Sequence, residues 1–165
     1  MAHMTHTEIK KDSLTMGIDP GSKGGISFLG ENGNLVSYYK MMPVFEIADL
    51  PELSYVHRCF IEKSQAMSKN GAKQGVTAVF NYGQGFGEQL GLLAAYKIPH
   101  VLVNPRKWQS KMLGKFPAGT SKNAAYLKAK QLWPHHTFII GNLGKVPHNG
   151  AIDASVIAEY GRLHG

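Results

Sequence analysis

Three carboxylates occupy positions where a folded chain can use them for chemistry. Asp19 closes the run Leu14-Thr15-Met16-Gly17-Ile18, whose apolar and β-branched residues predict a strand, and Pro20-Gly21 breaks that run directly after it. Glu62 closes a second run, Val56-His57-Arg58-Cys59-Phe60-Ile61, whose near-continuous apolar end predicts a strand covered on both faces. Asp153 falls in the first turn of a predicted last helix, inside Ala151-Ile152-Asp153-Ala154-Ser155-Val156, where a lone acid in apolar surroundings needs a cation or hydrogen bonds. Asn149 stands four residues earlier, on the same helical face, and its amide oxygen is a ligand for a hard cation. If the two strand ends and the helix start converge, Asp19, Glu62, Asn149 and Asp153 make an all-oxygen pocket suited to Mg²⁺ or Mn²⁺. Crowded acids repel one another and a divalent ion relieves the repulsion. Two such ions about 4 Å apart activate a water and stabilise the leaving oxygen in phosphodiester hydrolysis. Two of the acids also have an ordinary alternative: Asp19 as a turn residue capping its own loop, and Asp153 as an acid favoured by the helix macrodipole.

The elements that must position these residues follow from periodicity and breakers. Strands are expected at 14–19, 25–29 and 35–41, with Gly30-Glu31-Asn32-Gly33-Asn34 as a hairpin turn, so the chain opens as an antiparallel three-strand meander. One short helix is expected near 47–53, then the strand 56–62. A helix over 76–97 carries Phe86, Leu90, Leu93 and Ala94 at helical spacing. Gly83, Gly87 and Gly91 form a bare stripe on it, which predicts a closely packed backbone, either the sheet or the same helix of a second subunit. A short buried strand follows at 101–103, then a basic helix at 105–113 with Pro105 in its first turn and Trp108 in its core. Ser121 is the expected N-cap of a helix over 122–132 with Ala125, Leu127, Ala129 and Leu132 inward, and Phe138-Ile139-Ile140 is a short apolar piece. Asn149 is the expected N-cap of the last helix, 150–163, with Ile152, Val156, Ile157 and Tyr160 on its core face. The glycines around Asp19 leave room for a phosphate backbone or a metal to approach.

Composition narrows the class of partner. The 165 residues carry a formal charge of +7 and 43% hydrophobic residues, which describes a globular basic chain with a polyanion, most simply nucleic acid, as its partner. Cys59 is the only cysteine, so no disulfide frame or cysteine zinc cluster forms within one chain, and its apolar neighbours predict a buried thiol. No apolar run approaches membrane-span length, and no membrane partner is expected. Met1-Ala2-His3-Met4 reads as a cloning scar, so residues 1–13 are set aside as scar and flexible N-terminus and residues 14–165 are read as one domain. The loop Lys63-Ser64-Gln65-Ala66-Met67-Ser68-Lys69-Asn70-Gly71-Ala72-Lys73 follows the Glu62 strand end, has no core pattern and carries Lys63, Lys69 and Lys73, which points to DNA contact.

In order along the chain, Gly17-Ile18-Asp19-Pro20-Gly21, Ile61-Glu62-Lys63 and Gly150-Ala151-Ile152-Asp153-Ala154 resemble the RuvC-type Holliday junction resolvases. Gln65-Ala66-Met67, Asn104-Pro105-Arg106-Lys107-Trp108 and Ala158-Glu159-Tyr160-Gly161-Arg162 are most similar to the phage- and organelle-type branch. The resemblance runs over residues 14–163. It implies an α/β, RNase H-like fold with a mixed central sheet flanked by helices. It also implies two metals, Mg²⁺ or Mn²⁺ in its place, and a homodimer that resolves four-way junctions by paired symmetric nicks. Asp19, Glu62 and Asp153 are then the catalytic metal ligands. Lys122 opens a helix pointing at the site, as a holder of the scissile phosphate or a solvated lysine. Gln65 and Met67 join the lysines in the DNA-contacting loop, where Met67 is a wedge at the junction centre or plain loop packing. Relatives carry a fourth acid as His-Asp-Gly. Here the triplet is His148-Asn149-Gly150, an engineered inactivation or a natural change, with His148 either assisting with water or phosphate or, the preferred reading, a solvated loop residue. Two other readings stay open: a junction-binding protein without cleavage, and an actin/sugar-kinase-like ATPase, whose first phosphate motif Asp19-x-Gly21-Ser22 also matches but whose second lobe is not repeated here. The expected setting is the cytoplasm of a bacterium or of a phage-infected cell, or an organelle if a targeting segment once preceded Thr5.

Overall fold

A computed structural model describes residues 13–63, 75–141 and 144–165. Gln65, Met67, Lys69 and Lys73 lie outside the described residues. Five strands form one mixed sheet in the order β3-β2-β1-β4-β5. They are β1 (Leu14–Asp19), β2 (Gly25–Leu29), β3 (Leu35–Lys40), β4 (Val56–Glu62) and β5 (His100–Val103). The first three are antiparallel neighbours, whereas β1, β4 and β5 run parallel. The β2–β3 turn closes with Gly30 and Gly33 amides bonding the Asn34 and Gly30 carbonyls. Alternation along the strands sends Leu14, Met16, Ile18, Cys59 and Ile61 to one face and Phe60 and Val103 to the other. On the first face lie α1 (Val44–Ala48) and α2 (Val76–Ala95); on the second lie α3 (Pro105–Leu113), α4 (Ser121–Leu132) and α5 (Asn149–His164).

The last helix is the centre of the second layer and is buried from Gly150 to Gly161. Glycine makes this depth possible. A Cβ on Gly17 of β1 would collide with the Ala154 carbonyl and with Ala158, and one on Gly25 would meet the backbone of Gly150 and Ala151. The helix therefore lies directly on β1 and β2, and a parallel bridge joins Gly24 to Gly150.

Several expectations are corrected. The single helix near 47–53 is two pieces, α1 and a 3₁₀ turn at Pro51–Tyr55, because Pro51 cannot continue the amide ladder. The strand at 101–103 is buried only at Val103: β5 is the edge of the described sheet, and Val101 and Leu102 remain 45% and 43% exposed. Nothing among the described residues lies within 4 Å of a Cβ placed on Gly83, Gly87 or Gly91, so the sheet is not what packs on that stripe. Only Leu93 of the α2 apolar set is fully buried; Phe86 and Leu90 are half-buried and Ala94 is exposed. Ser121 is the first helical residue and Thr120 stands at the cap, while Leu127 faces outward at 58% exposure. In the short apolar piece 138–140, Phe138 adopts a φ of 58° and buries its ring against Trp133 and Tyr38.

Candidate active site

Parallel register brings the first two acids together. Ile18 pairs with Ile61, and the next residue on each strand is the carboxylate, Asp19 on β1 and Glu62 on β4. Asp153 comes from α5, beyond its first turn rather than within it, because the helix begins at Asn149. The helix dipole consequently does little for this acid, and at 9% exposure it depends on specific partners. The three acids sense one another: Asp19 interacts with Asp153 and Glu62, and Glu62 with Asp153.

Burial first, then repulsion from Asp153 and Glu62, push the Asp19 carboxyl up to about 8, against the relief that Lys122 gives. Burial raises Glu62 as well, countered by a hydrogen bond from Trp108. Asp153 is raised by burial even though Lys122 pulls the other way. Lys122 is in the first turn of α4, and its Nζ donates to Asp153 Oδ2 at 2.7 Å. Burial alone would lower this ammonium, but Asp153, Asp19 and Glu62 together hold it above its ordinary value. Its side chain stays 58% exposed, so Lys122 is a solvent-reaching lysine that also serves as countercharge to the acid cluster.

Trp108, which the sequence offers as helix core or as a base stack, supplies a further contact. Its ring is 1% exposed, and Nε1–H donates to Glu62 Oε2 at 2.6 Å. The start of α3 fixes that ring: Pro105 opens the helix and Asn104 Oδ1 accepts the Arg106 amide at 2.9 Å. A buried indole N–H needs an acceptor, which is the signal that was available in the sequence.

The start of α5 also differs from expectation. His148, not Asn149, is the cap: its Nδ1 accepts the Ala151 amide at 3.2 Å. Burial, then Lys40 and Lys122, lower its pKa, which keeps the ring neutral and able to accept. Asn149 is the first helical residue, is exposed, and lines a hollow of about 320 Å³ with Lys122. Lys63 follows Glu62 directly; its amide donates to the Val103 carbonyl at 2.7 Å and its side chain is exposed. The space at Gly24 and Gly25 is taken by the chain itself, Asp19 backbone and the α5 start, and Gly21 faces the Tyr82 ring. Gly25 thus admits the last helix, and Gly24 its own turn. Cys59 is fully buried, and burial raises its thiol.

Among the described residues no group of three or more His, Cys, Asp or Glu is drawn together as a ready metal cage. The donor chemistry nevertheless fits a hard divalent ion. The groups are carboxylates, and their burial and mutual repulsion hold Asp19 protonated near neutrality, a condition that a dication reverses.

No protein-family model matches this chain, and no curated protein matches its sequence. Two solved structures from Thermus thermophilus are similar to it. RuvC in complex with a Holliday junction substrate aligns with a TM-score of 0.59 at 14% identity, over 92% of this chain and 96% of that one. A second RuvC structure aligns with a TM-score of 0.57 at 17% identity, over 91% and 96%. The α/β sheet order and flanking helices are thus those of a RuvC-like, RNase H-like fold.

Proposed function

We propose that this chain is a structure-selective endodeoxyribonuclease of the phage- and organelle-type resolvase branch, acting on four-way DNA junctions. The observation that carries the reading is the coupling of Asp19, Glu62 and Asp153, from β1, β4 and α5, at one end of a RuvC-like sheet with Lys122 against them. Asp19, Glu62 and Asp153 would hold Mg²⁺ or Mn²⁺, with the Asn149 amide oxygen as a weaker fourth ligand. The chemistry such ions supply is activation of water and neutralisation of charge at the leaving oxygen. Lys122 would hold a non-bridging oxygen of the scissile phosphate once its carboxylate partner is engaged elsewhere. Trp108 orients Glu62, and His148 fixes the turn from which Asn149 projects.

Branched DNA as partner is supported by the basic balance of the chain and by the junction held in one of the similar structures. Lys63, with Gln65, Met67, Lys69 and Lys73 beyond it, is the proposed junction-contacting segment. Two identical sites on a dyad match the paired strands of a four-way junction, so the working unit is a homodimer, with the uncovered glycine face of α2 as its candidate interface. The cytoplasm is the proposed setting.

One specific residue favours a second reading, junction binding without cleavage: Asn149 brings no charge to the site. The deciding experiment incubates this chain and its Asn149→Asp form with a synthetic four-way junction and Mg²⁺ or Mn²⁺. The chain as written should bind the junction and cleave it slowly or not at all. Asn149→Asp should give paired symmetric nicks, and Asp19→Asn in that background should abolish them. Equal cleavage by both forms would remove Asn149 from the ligand set, and absence of nicking by either would leave the binding reading.

A further inference from the structure

A groove of about 810 Å³ separates α3 from the C-terminal end of α5. It is lined by Asn104, Arg106, Lys107, Ser110, Lys111, Tyr160 and His164. Every one of these side chains carries an N–H or O–H donor, and none is a carboxylate. The two ion pairs among the described residues are Lys122–Asp153 and Arg162–Glu159, so Arg106, Lys107 and Lys111 have no acid to neutralise them there. Lys107 and Lys111 stand four residues apart on one helix that contains no acid at all, an arrangement that disfavours the isolated helix. The inner face of the same helix is fixed by buried Trp108 and Met112. α3 thus turns its apolar side to the core and holds its unpaired cations over a concave surface.

Position selects the anion. The groove begins at Asn104, one residue after Val103, and the Val103 carbonyl is bonded by the amide that follows Glu62. From Asn104 to Lys111 the helix advances about 10 Å. That is the length of roughly three nucleotides of one strand at about 3.4 Å each. A single small anion would use only part of this row of donors, whereas a phosphodiester chain leaving the carboxylate cluster meets all of it. We propose that the α3–α5 groove is a phosphate-backbone site that holds a nucleic-acid strand beyond the reacting phosphate, contacting backbone and not bases. This rests on the reading of the chain as a DNA-cleaving protein.

The test measures binding of a four-way junction and of a linear duplex against salt concentration, using the full chain and its Lys107→Gln/Lys111→Gln double variant. A second double variant, Lys97→Gln/Lys128→Gln, removes the same charge elsewhere. Losing two phosphate contacts should flatten the log–log salt slope by about two on both DNAs. The second variant should keep the wild-type slope, and all three proteins should share one unfolding temperature. An unchanged slope in the first variant, or equal flattening in both, would overturn the proposal. Any preference for junction over duplex is read separately from the ratio of the two affinities. A missing preference with the slope change intact would sink the junction reading and leave the groove standing.

Discussion

Replacing Trp108 by Phe removes one hydrogen atom's worth of chemistry from the site while keeping an aromatic ring in the core. The indole N–H donates to Glu62 Oε2 at 2.6 Å from a ring that is 1% exposed. Hydrogen bonds to charged acceptors contribute about 1.5–3 kcal/mol, and loss of an orienting partner of a metal ligand weakens metal affinity by roughly 10–100-fold. The variant should therefore bind Mn²⁺ or Mg²⁺ about 10–100-fold more weakly. The sign of the pH effect is also fixed. Burial raises the Glu62 carboxyl and the Trp108 bond lowers it, so removing the bond raises it further and metal binding weakens more steeply on acidification. Some packing is lost too, roughly 1–3 kcal/mol of stability. Calorimetric metal titration gives the affinity, and indole N–H resonances give a readout independent of cleavage. The chain has two tryptophans, and the other indole, Trp133, donates to the Gly33 carbonyl at 2.8 Å and serves as internal reference. Adding Mg²⁺ should move the Trp108 resonance and leave that of Trp133 in place. Unchanged metal affinity in Trp108→Phe, with only a lower unfolding temperature, would refute the positioning role.

Other outcomes follow from the same geometry. Asp19 moves from 3.8 to about 8, so it ionises later in the folded chain than in the unfolded one; its contribution to stability is complete below about pH 4 and is lost as pH rises toward 8. At about 1.36 kcal/mol per unit this is a loss of several kcal/mol at most, and Asp19→Asn or added Mg²⁺ should flatten the profile; a flat metal-free profile in the parent chain would contradict the burial of an acid cluster. Gly17→Ala should destabilise by about 3 kcal/mol or more, read as a drop in unfolding temperature, because the new methyl meets the Ala154 carbonyl; a shift under about 0.5 kcal/mol would mean that α5 does not lie where described. Sedimentation should report a dimer at micromolar concentration, and a junction-bound monomer would exclude the paired-site arrangement. Junction should bind more tightly than linear duplex of the same sequence, with salt-sensitive affinity, and equal affinities would count against structure selectivity.

The strands that carry Asp19 and Glu62 were legible because local signals decide them. Pro20-Gly21 ends one run, and the other run is apolar to its end. Features set by distant packing were not legible. Val101-Leu102-Val103 is apolar enough for a central strand, yet among the described residues no strand pairs beyond β5, so it stays at the edge. The Trp108–Glu62 bond spans 46 residues and depends on α3 lying against β4, which no local pattern encodes. At the start of α5, three consecutive residues, His148, Asn149 and Gly150, include two acceptable caps. The choice of His148 is made by its amide bonding the Phe138 carbonyl, again a distant contact.

The glycines near the acids link these two levels. From the sequence alone they read as space for a ligand, since glycine beside a strand-end carboxylate permits close approach. In the fold that space belongs to the last helix. Gly17 lies two residues before Asp19 and receives Ala154 and Ala158; Gly150 lies three residues before Asp153 and receives Gly24. Each glycine therefore fixes the distance between its own acid and the opposing element. A side chain at either position would lift α5 from the sheet and carry Asp153 away from Asp19 and Glu62. The burial that chiefly raises Asp19, and the repulsion from Asp153 and Glu62 that adds to it, both depend on this backbone contact, and Gly17→Ala should return Asp19 toward its ordinary range as it weakens the fold. The two effects would be read together in one titration, and a variant that unfolds more easily while Asp19 stays near 8 would separate the acids from the packing that is held here to unite them.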